Sequence, residues 1–219
     1  RGLGDVYKRQ QYAEYAMEQM RRYGIPASVT LAQGICESAS GQSELSRKGN
    51  NHFGIKATSS WIENGGKYLV YTDDRPNEKF CQYANVGDSY EHHSQFLKRN
   101  GRYAGLFQLS PDDYKGWTNG LQDAGYASSK QYAATLQNII EKNGLQKYDQ
   151  MVMQEMKALG KSFGTADNPC QATSDDVSVQ DTEEKKYSFP LKREEFMLVT
   201  SPFGTRKDPL DASKSQLHK

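Results

Sequence analysis

Leu31-Ala32-Gln33-Gly34-Ile35-Cys36-Glu37-Ser38, continued by Ala39-Ser40-Gly41-Gln42-Ser43, is the stretch whose reading decides the fold. Val29, Ala32 and Cys36 recur at helical spacing, as do Leu31 and Ile35, so this is one amphipathic helix. It ends in a carboxylate, and a turn of small and polar residues follows at once. Upstream, Pro26 is suited to start the helix and Ser28 offers a hydroxyl near its cap. Downstream, Gly41 can release the chain. The opposite stripe carries Thr30, Gln33, Gly34 and Glu37. Gly34, one turn before Glu37, predicts room beside the carboxylate. A carboxyl group at the buried end of a helix is pushed toward its protonated form, which suits a general acid. Taken alone, Glu37 reads more readily as a solvated residue at a helix end than as an acid.

The next motif changes that balance. Asn50-Asn51-His52-Phe53-Gly54-Ile55-Lys56 follows within one short loop. Ala32-Gln33-Gly34-Ile35-Cys36-Glu37-Ser38, Gly41-Gln42-Ser43 and this block together resemble the bacterial N-acetylglucosaminidases of glycoside hydrolase family 73, which include autolysins and flagellar-type peptidoglycan hydrolases. The family pattern is Ala-Gln-x-x-x-Glu-Ser, then Gly-x-Ser, then Asn-Asn-x-Phe-Gly-Ile-Lys. The resemblance implies a lysozyme-like fold and makes Glu37 the catalytic acid. Ala39-Ser40 stand where many relatives carry Gly-Trp, so one sugar-stacking aromatic of the family is missing.

Composition sets outer bounds. The chain has 219 residues and a formal net charge of +1, which gives no electrostatic footprint for nucleic acid. No apolar run is long enough to span a bilayer. The three cysteines, Cys36, Cys81 and Cys170, cannot all pair, and their spacing fits no zinc motif. Residues 1–10 read as a non-native leader, and the chain reads as a fragment of a longer protein.

The pattern predicts a helix over 11–23, the Glu37 helix, a polar loop over 46–51, and then a change of character. Trp61, Tyr68, Leu69, Val70, Tyr71, Phe80 and Tyr83 are strand formers, interrupted by Asn64-Gly65-Gly66 and Arg75-Pro76-Asn77. A β-lobe over about 53–83 is expected within a helical domain spanning 11–149. Helices resume over 86–100, 112–124 and 130–143, with a weaker one over 148–158. The expected class is therefore mainly α with a small β-hairpin lobe, an α+β, lysozyme-like fold. Residues 150–186 read as that weak helix and a polar, disordered linker. Residues 187–219 resemble the opening of a lysostaphin-type zinc endopeptidase domain, through Thr200-Ser201-Pro202-Phe203-Gly204-Thr205-Arg206, Pro209 and Leu217-His218. That resemblance makes His218 a lone ligand of an incomplete zinc site, a truncated β fragment. Zinc is expected only in a full-length parent, and no cofactor in the glucosaminidase domain.

Cleavage of a glycosidic bond ordinarily uses two carboxylates. The hairpin offers Asp73, Asp74 and Glu78. Relatives carry Thr-x-Glu there, and Thr72-Asp73-Asp74 falls in its place, so Asp74 is the expected partner of Glu37, with Asp73 and Glu78 as substrate-binding or reserve acids. As turn residues beside Arg75-Pro76, the two aspartates have an equally plain explanation. The resemblance places Tyr126 and Tyr132 as groove tyrosines, and a ring there stacks on a sugar or donates its hydroxyl; the alternative is helix core. Asn51 and Phe53 are expected among the substrate-binding residues, shaping the loop under the groove rather than doing chemistry. His92-His93 reads as a packed or surface pair, since no third ligand lies at metal spacing. The expected activity is endo-β-N-acetylglucosaminidase action on the β-1,4 bond after N-acetylglucosamine in peptidoglycan. Its alternatives are a muramidase or lytic transglycosylase, and a non-catalytic wall-binding module. The expected protein is an exported monomer of the periplasm, cell envelope or extracellular space, with peptidoglycan strands as partner, no nucleic acid and no membrane insertion.

Overall fold

Helix α2 (Ala27–Glu37) is buried at every position, and helices from both ends of the chain pack on it. The computed structural model describes residues 3–72 and 76–164. Helix α1 (Leu3–Tyr23) buries Ala13, Ala16, Met17, Met20 and Tyr23, a stripe at helical spacing, and packs on α2. It starts well before residue 11, so the segment expected to be a foreign leader continues the helix. Adding residues to a formed helix costs far less than nucleating one, and residues 3–10 contain no proline. Gly24, at φ +77°, closes α1 through its N–H to Met20 O at 2.8 Å.

Two short helices stand where the sequence suggested a loop and a strand. Helix α3 (Glu44–Gly49) occupies most of the expected polar loop, and its N-cap Ser43 accepts a hydrogen bond from Ser46 N. Helix α4 (Ser59–Glu63) contains Trp61, a strand former by propensity; Thr58 caps it by accepting from Trp61 N. In both cases a Ser or Thr cap decides a helix too short to show periodicity. Strands β1 (Lys67–Tyr71) and β2 (Glu78–Gln82) form the antiparallel hairpin, in register Lys67↔Gln82 to Tyr71↔Glu78. Residues 55–57 run along the other edge of β2, with Cys81 N to Ile55 O and Ala57 N to Lys79 O both at 2.9 Å. The hairpin is thereby fastened to the loop that follows α3.

Helix α5 (Val86–Arg99) is capped by Asn85 and buries Tyr90, His93, Phe96 and Leu97. A 3-10 helix (Gly101–Gln108) leads to α6 (Tyr114–Asp123) and α7 (Tyr132–Asn143). Helix α8 (Gln146–Leu159) is no weak appendage: Asp149, Val152 and Met156 are buried and the helix packs on α1 and α2. The packed unit thus runs past the boundary expected at residue 149. Trp117, Tyr90, Tyr103, Tyr126, Tyr132 and Phe53 are the largest fully buried side chains. Each such burial contributes roughly 1.5–3 kcal/mol relative to exposure. The linker and the endopeptidase-like segment, with Cys170 and His218, lie outside the described residues, as do Asp73 and Asp74.

Candidate active site

Glu37 forms the last turn of α2 and is 5% exposed. The chain leaves it by an unusual path. Ser38 N bonds back to Gly34 O at 3.1 Å, and Ala39, Ser40 and Gly41 then take positive φ in succession, +48°, +61° and +80°. Left-handed backbone costs a non-glycine residue about 1 kcal/mol or more. Ser38 offsets part of that cost. Its hydroxyl donates to Gly34 O and accepts from Gly41 N at 2.8 Å, so one side chain ties the helix end to the turn. Ser43 N then donates to Ser38 O at 3.0 Å.

The Asn51 loop closes over this end of the helix. Asn51 is buried, and its amide uses both ends: Nδ2 donates to Ile55 O and Cys81 O, while Oδ1 accepts from Phe53 N and Ile55 N. All of its capacity goes to backbone, which fixes the loop against β2. Gly54, at φ +67°, carries the chain past the acid, and a Cβ built there would stand 3.7 Å from Glu37 Oε2. Phe53 is fully buried against α2. The missing Cβ of Gly34 does not open room for the carboxylate, as the sequence suggested. A Cβ there would meet Phe53 Cε1 at 3.5 Å and Tyr90 Oη at 3.4 Å, so aromatic groups fill the gap. Asn51 and Phe53 lie beneath the surface and give no face to a substrate.

Tyr126 and Tyr132 are also fully buried, with their rings stacked on each other at 5.7 Å and 12°. Neither presents an open ring face for a sugar. Gln33 Nε2 donates to Tyr132 Oη at 2.9 Å. Burial, and after it the Glu37 charge, holds the Tyr132 hydroxyl well above its ordinary pKa, so its proton stays in place. The same two causes raise the Cys36 thiol. On its other side, Gln33 Oε1 meets His93 Nε2 at 2.8 Å. Phe53 stacks flat on His93, at 4.1 Å and 19°. Burial, helped by His92, pushes His93 down to about 3, so it is neutral at ordinary pH. His92 stacks on Trp61 and bonds to Tyr83, which makes the histidine pair a packed one.

Glu78 opens β2 and forms an ion pair with Lys56 at 2.8 Å, both side chains largely buried. Among the described residues, no group of three or more His, Cys, Asp and Glu is placed to hold a metal ion, and Cys36 and Cys81 are buried. Sequence reasoning missed three contributors. Gln33 carries a readable signal, since it lies four residues before Glu37 and so on the same helix face. Gly54 is readable only as a glycine in a turn. Asp149 gave no signal: from α8 it accepts from Ser28 N at 2.8 Å and from Ser28 Oγ, capping α2 across 121 positions. Pro26 is the residue at the cap and supplies no side-chain bond, so the nearby hydroxyl acts through a distant carboxylate.

Residues 13–145 match the glucosaminidase family, described as mannosyl-glycoprotein endo-β-N-acetylglucosaminidase. The chain is similar to the exo-glucosaminidase LytG of Bacillus subtilis, 29% identical over 185 residues, which cover 76% of this chain and 62% of that protein. It is similar to the peptidoglycan hydrolase FlgJ of Vibrio cholerae, 32% identical over 129 residues, 54% of this chain and 38% of that one. The chain thus spans less than two thirds of either relative. Among solved structures, the catalytic domain of the autolysin Auto from Listeria monocytogenes superposes with a TM-score of 0.56 at 29% identity, covering 68% of this chain and 89% of that one. A peptidoglycan hydrolase from Sphingomonas sp. A1 gives 0.53 at 26% identity, covering 64% and 89%. A match that takes in most of the packed helices, the hairpin and the Glu37 turn, supported by both superpositions, makes this chain a member of the glucosaminidase family of glycoside hydrolases.

Proposed function

We propose that this protein cleaves the glycan strand of peptidoglycan as an endo-β-N-acetylglucosaminidase, with Glu37 as general acid. The observation that carries the reading is the setting of Glu37: nearly buried at the C-terminal end of α2, with the Gly54 backbone beside one carboxylate oxygen. Burial and the carbonyl end of a helix both act against an ionised carboxylate, and an acid that protonates a leaving oxygen must hold its proton near neutral pH. In the step itself, the Glu37 proton moves to the glycosidic oxygen, the bond from that oxygen to the anomeric carbon of N-acetylglucosamine breaks, and Glu37 is left as carboxylate. Relatives that are a peptidoglycan hydrolase, an autolysin and a glucosaminidase support this substrate and an envelope or extracellular setting. No described helix is long and apolar enough to cross a membrane. The protein acts as a monomer in this reading.

The second carboxylate in this proposal is Asp74. The Lys56 partner already balances the charge of Glu78, which favours the hairpin aspartates for the open role. Either Asp74 activates water, acts as nucleophile, or stabilises the cation while the substrate's own 2-acetamido oxygen assists. Comparing Asp74→Asn, Asp73→Asn and Glu78→Gln decides among the acids. Asp74→Asn should lower turnover at least about tenfold and the others less.

Digestion of purified peptidoglycan, followed by reduction and mass analysis of the new ends, tests the bond. Reduced glucosamine ends on fragments of mixed length support the proposal. Reduced muramic acid or anhydro ends point to a muramidase or lytic transglycosylase, release of single terminal sugars points to exo action, and no cleavage points to a wall-binding module.

A further inference from the structure

The hairpin has one covered edge and one open edge. On β2, Cys81 N donates to Ile55 O and Lys79 O accepts from Ala57 N, both at 2.9 Å. Cys81 O accepts from Asn51 Nδ2 at 2.9 Å, and Tyr83 N donates to Gly49 O at 2.8 Å. The backbone groups of Lys79, Cys81 and Tyr83 therefore point away from β1. In an antiparallel pair the N–H and C=O of one residue point to the same side, and successive residues alternate. Phe80 thus bonds its partner Leu69, while Tyr68 and Val70, opposite Cys81 and Lys79, turn their N–H and C=O groups outward. Among the described residues, no group outside the hairpin bonds to these two amides and two carbonyls.

Tyr68 and Val70 also carry the exposed apolar side chains of the hairpin, 39% and 48% exposed. Two apart on one strand, they share a face. Lys79, opposite Val70, sets its ammonium 5.0 Å from the centroid of the Tyr68 ring. We propose that this edge of β1 docks the peptide stems of peptidoglycan, through the outward amide groups of Tyr68 and Val70 and the charge of Lys79. The proposal rests on peptidoglycan being the substrate.

Charge decides the occupant. Glu78 takes up the charge of Lys56, whereas Lys67 and Lys79 are exposed and pair with no described carboxylate. Peptide stems supply amides for the edge and free carboxylates for the lysines. A second copy of the hairpin supplies the amides but sets lysine against lysine, and like charges across a strand pair are destabilising. Position agrees with the stem. Residues 55–57 directly follow Gly54, whose backbone passes the Glu37 carboxylate. Strand β1 lies two strand spacings from them, about 10 Å. Three extended residues span about that distance, so a stem has the length to run from a sugar near the acid to this edge.

The test compares two soluble substrates for the whole chain: glycan strands that keep their stems, and the same strands stripped of them by an amidase. The wild type should show a KM at least about tenfold lower on the stem-bearing strands, with similar kcat. Val70→Pro removes one outward N–H and no bond of the ladder, a change that edge strands tolerate. It should raise KM on stem-bearing strands about fivefold or more, and not on stripped ones. Lys79→Glu, at an exposed position, should do the same, and takes the place of Val70→Pro if that variant does not keep the wild-type circular dichroism. Equal KM on the two substrates in the wild type overturns the proposal, and so does a preference that survives both changes. A dimer in sedimentation that Val70→Pro dissociates also overturns it, because the edge then belongs to a second copy. The two levels separate cleanly. If neither strand is cleaved, the peptidoglycan reading fails and this proposal with it; if both are cleaved with equal KM, only the docking of the stem falls.

Discussion

Gly54 shows how much of the site depends on one residue with no side chain. Its φ of +67° is left-handed, and its backbone passes the Glu37 carboxylate. Gly54→Ala adds a methyl at ordinary contact distance from Oε2 and strain of about 1–2 kcal/mol. The expected outcome is a thermal midpoint lowered by several degrees and a larger fractional loss of turnover, measured side by side. A variant that loses stability but keeps turnover would show that the loop position is indifferent to the acid. The residue scale is also where the sequence was most uneven as a guide. Glu37 stood out because a helix stripe, a small-residue turn and a second motif converged on it. Asn51 and Phe53, expected to bind substrate as well as to shape the loop, are buried, and Asn51 spends its amide on backbone as an asparagine in a turn tends to. Tyr126 and Tyr132 were read as rings for a sugar, and here they stack on each other. A tyrosine's pattern does not say which neighbour covers its face.

The α2 N-terminus makes the same point for elements. Its cap comes from Asp149 on α8, a helix whose sequence pattern is weak. Burial pushes the Asp149 carboxyl from 3.8 up to about 7, with Asp112 adding a little, while the Ser28 hydrogen bonds act the other way. The folded pKa lies above the unfolded one. Stability from this group is therefore full below the unfolded value and is lost as pH rises through about 7. Asp149→Asn keeps an acceptor for Ser28 N but cannot ionise. Its thermal midpoint should change less between pH 5 and pH 8 than that of the wild type, which should fall; equal slopes would remove Asp149 from the account. The long periodic helices were readable because burial of one stripe dictates their spacing. The short helices α3 and α4 were not, since they hang on Ser43 and Thr58 caps rather than on a repeating apolar face. Trp61, a strand former by propensity, is helical because Thr58 caps the turn and its indole N–H reaches Lys67 O at 2.8 Å.

For the whole molecule, helices from both ends of the chain pack on α2, so that a single buried carboxyl stands at its end, between the left-handed turn and the Gly54 backbone. Chemistry that needs only proton donation at that point requires no metal. The segment resembling an endopeptidase contains one candidate ligand, His218, whereas a catalytic zinc takes three protein ligands and an open position. Metal analysis of the purified chain should find no stoichiometric zinc; one tightly held zinc per chain that disappears with His218→Ala would contradict that. The central claim is that Glu37 supplies the proton for glycosidic cleavage, and Glu37→Gln tests it most directly, because glutamine keeps the shape and cannot donate that proton. On purified peptidoglycan sacculi, the variant is predicted to lose at least about a hundredfold in turnover while folding and sedimenting with sacculi like the wild type; turnover at the wild-type rate would contradict the account.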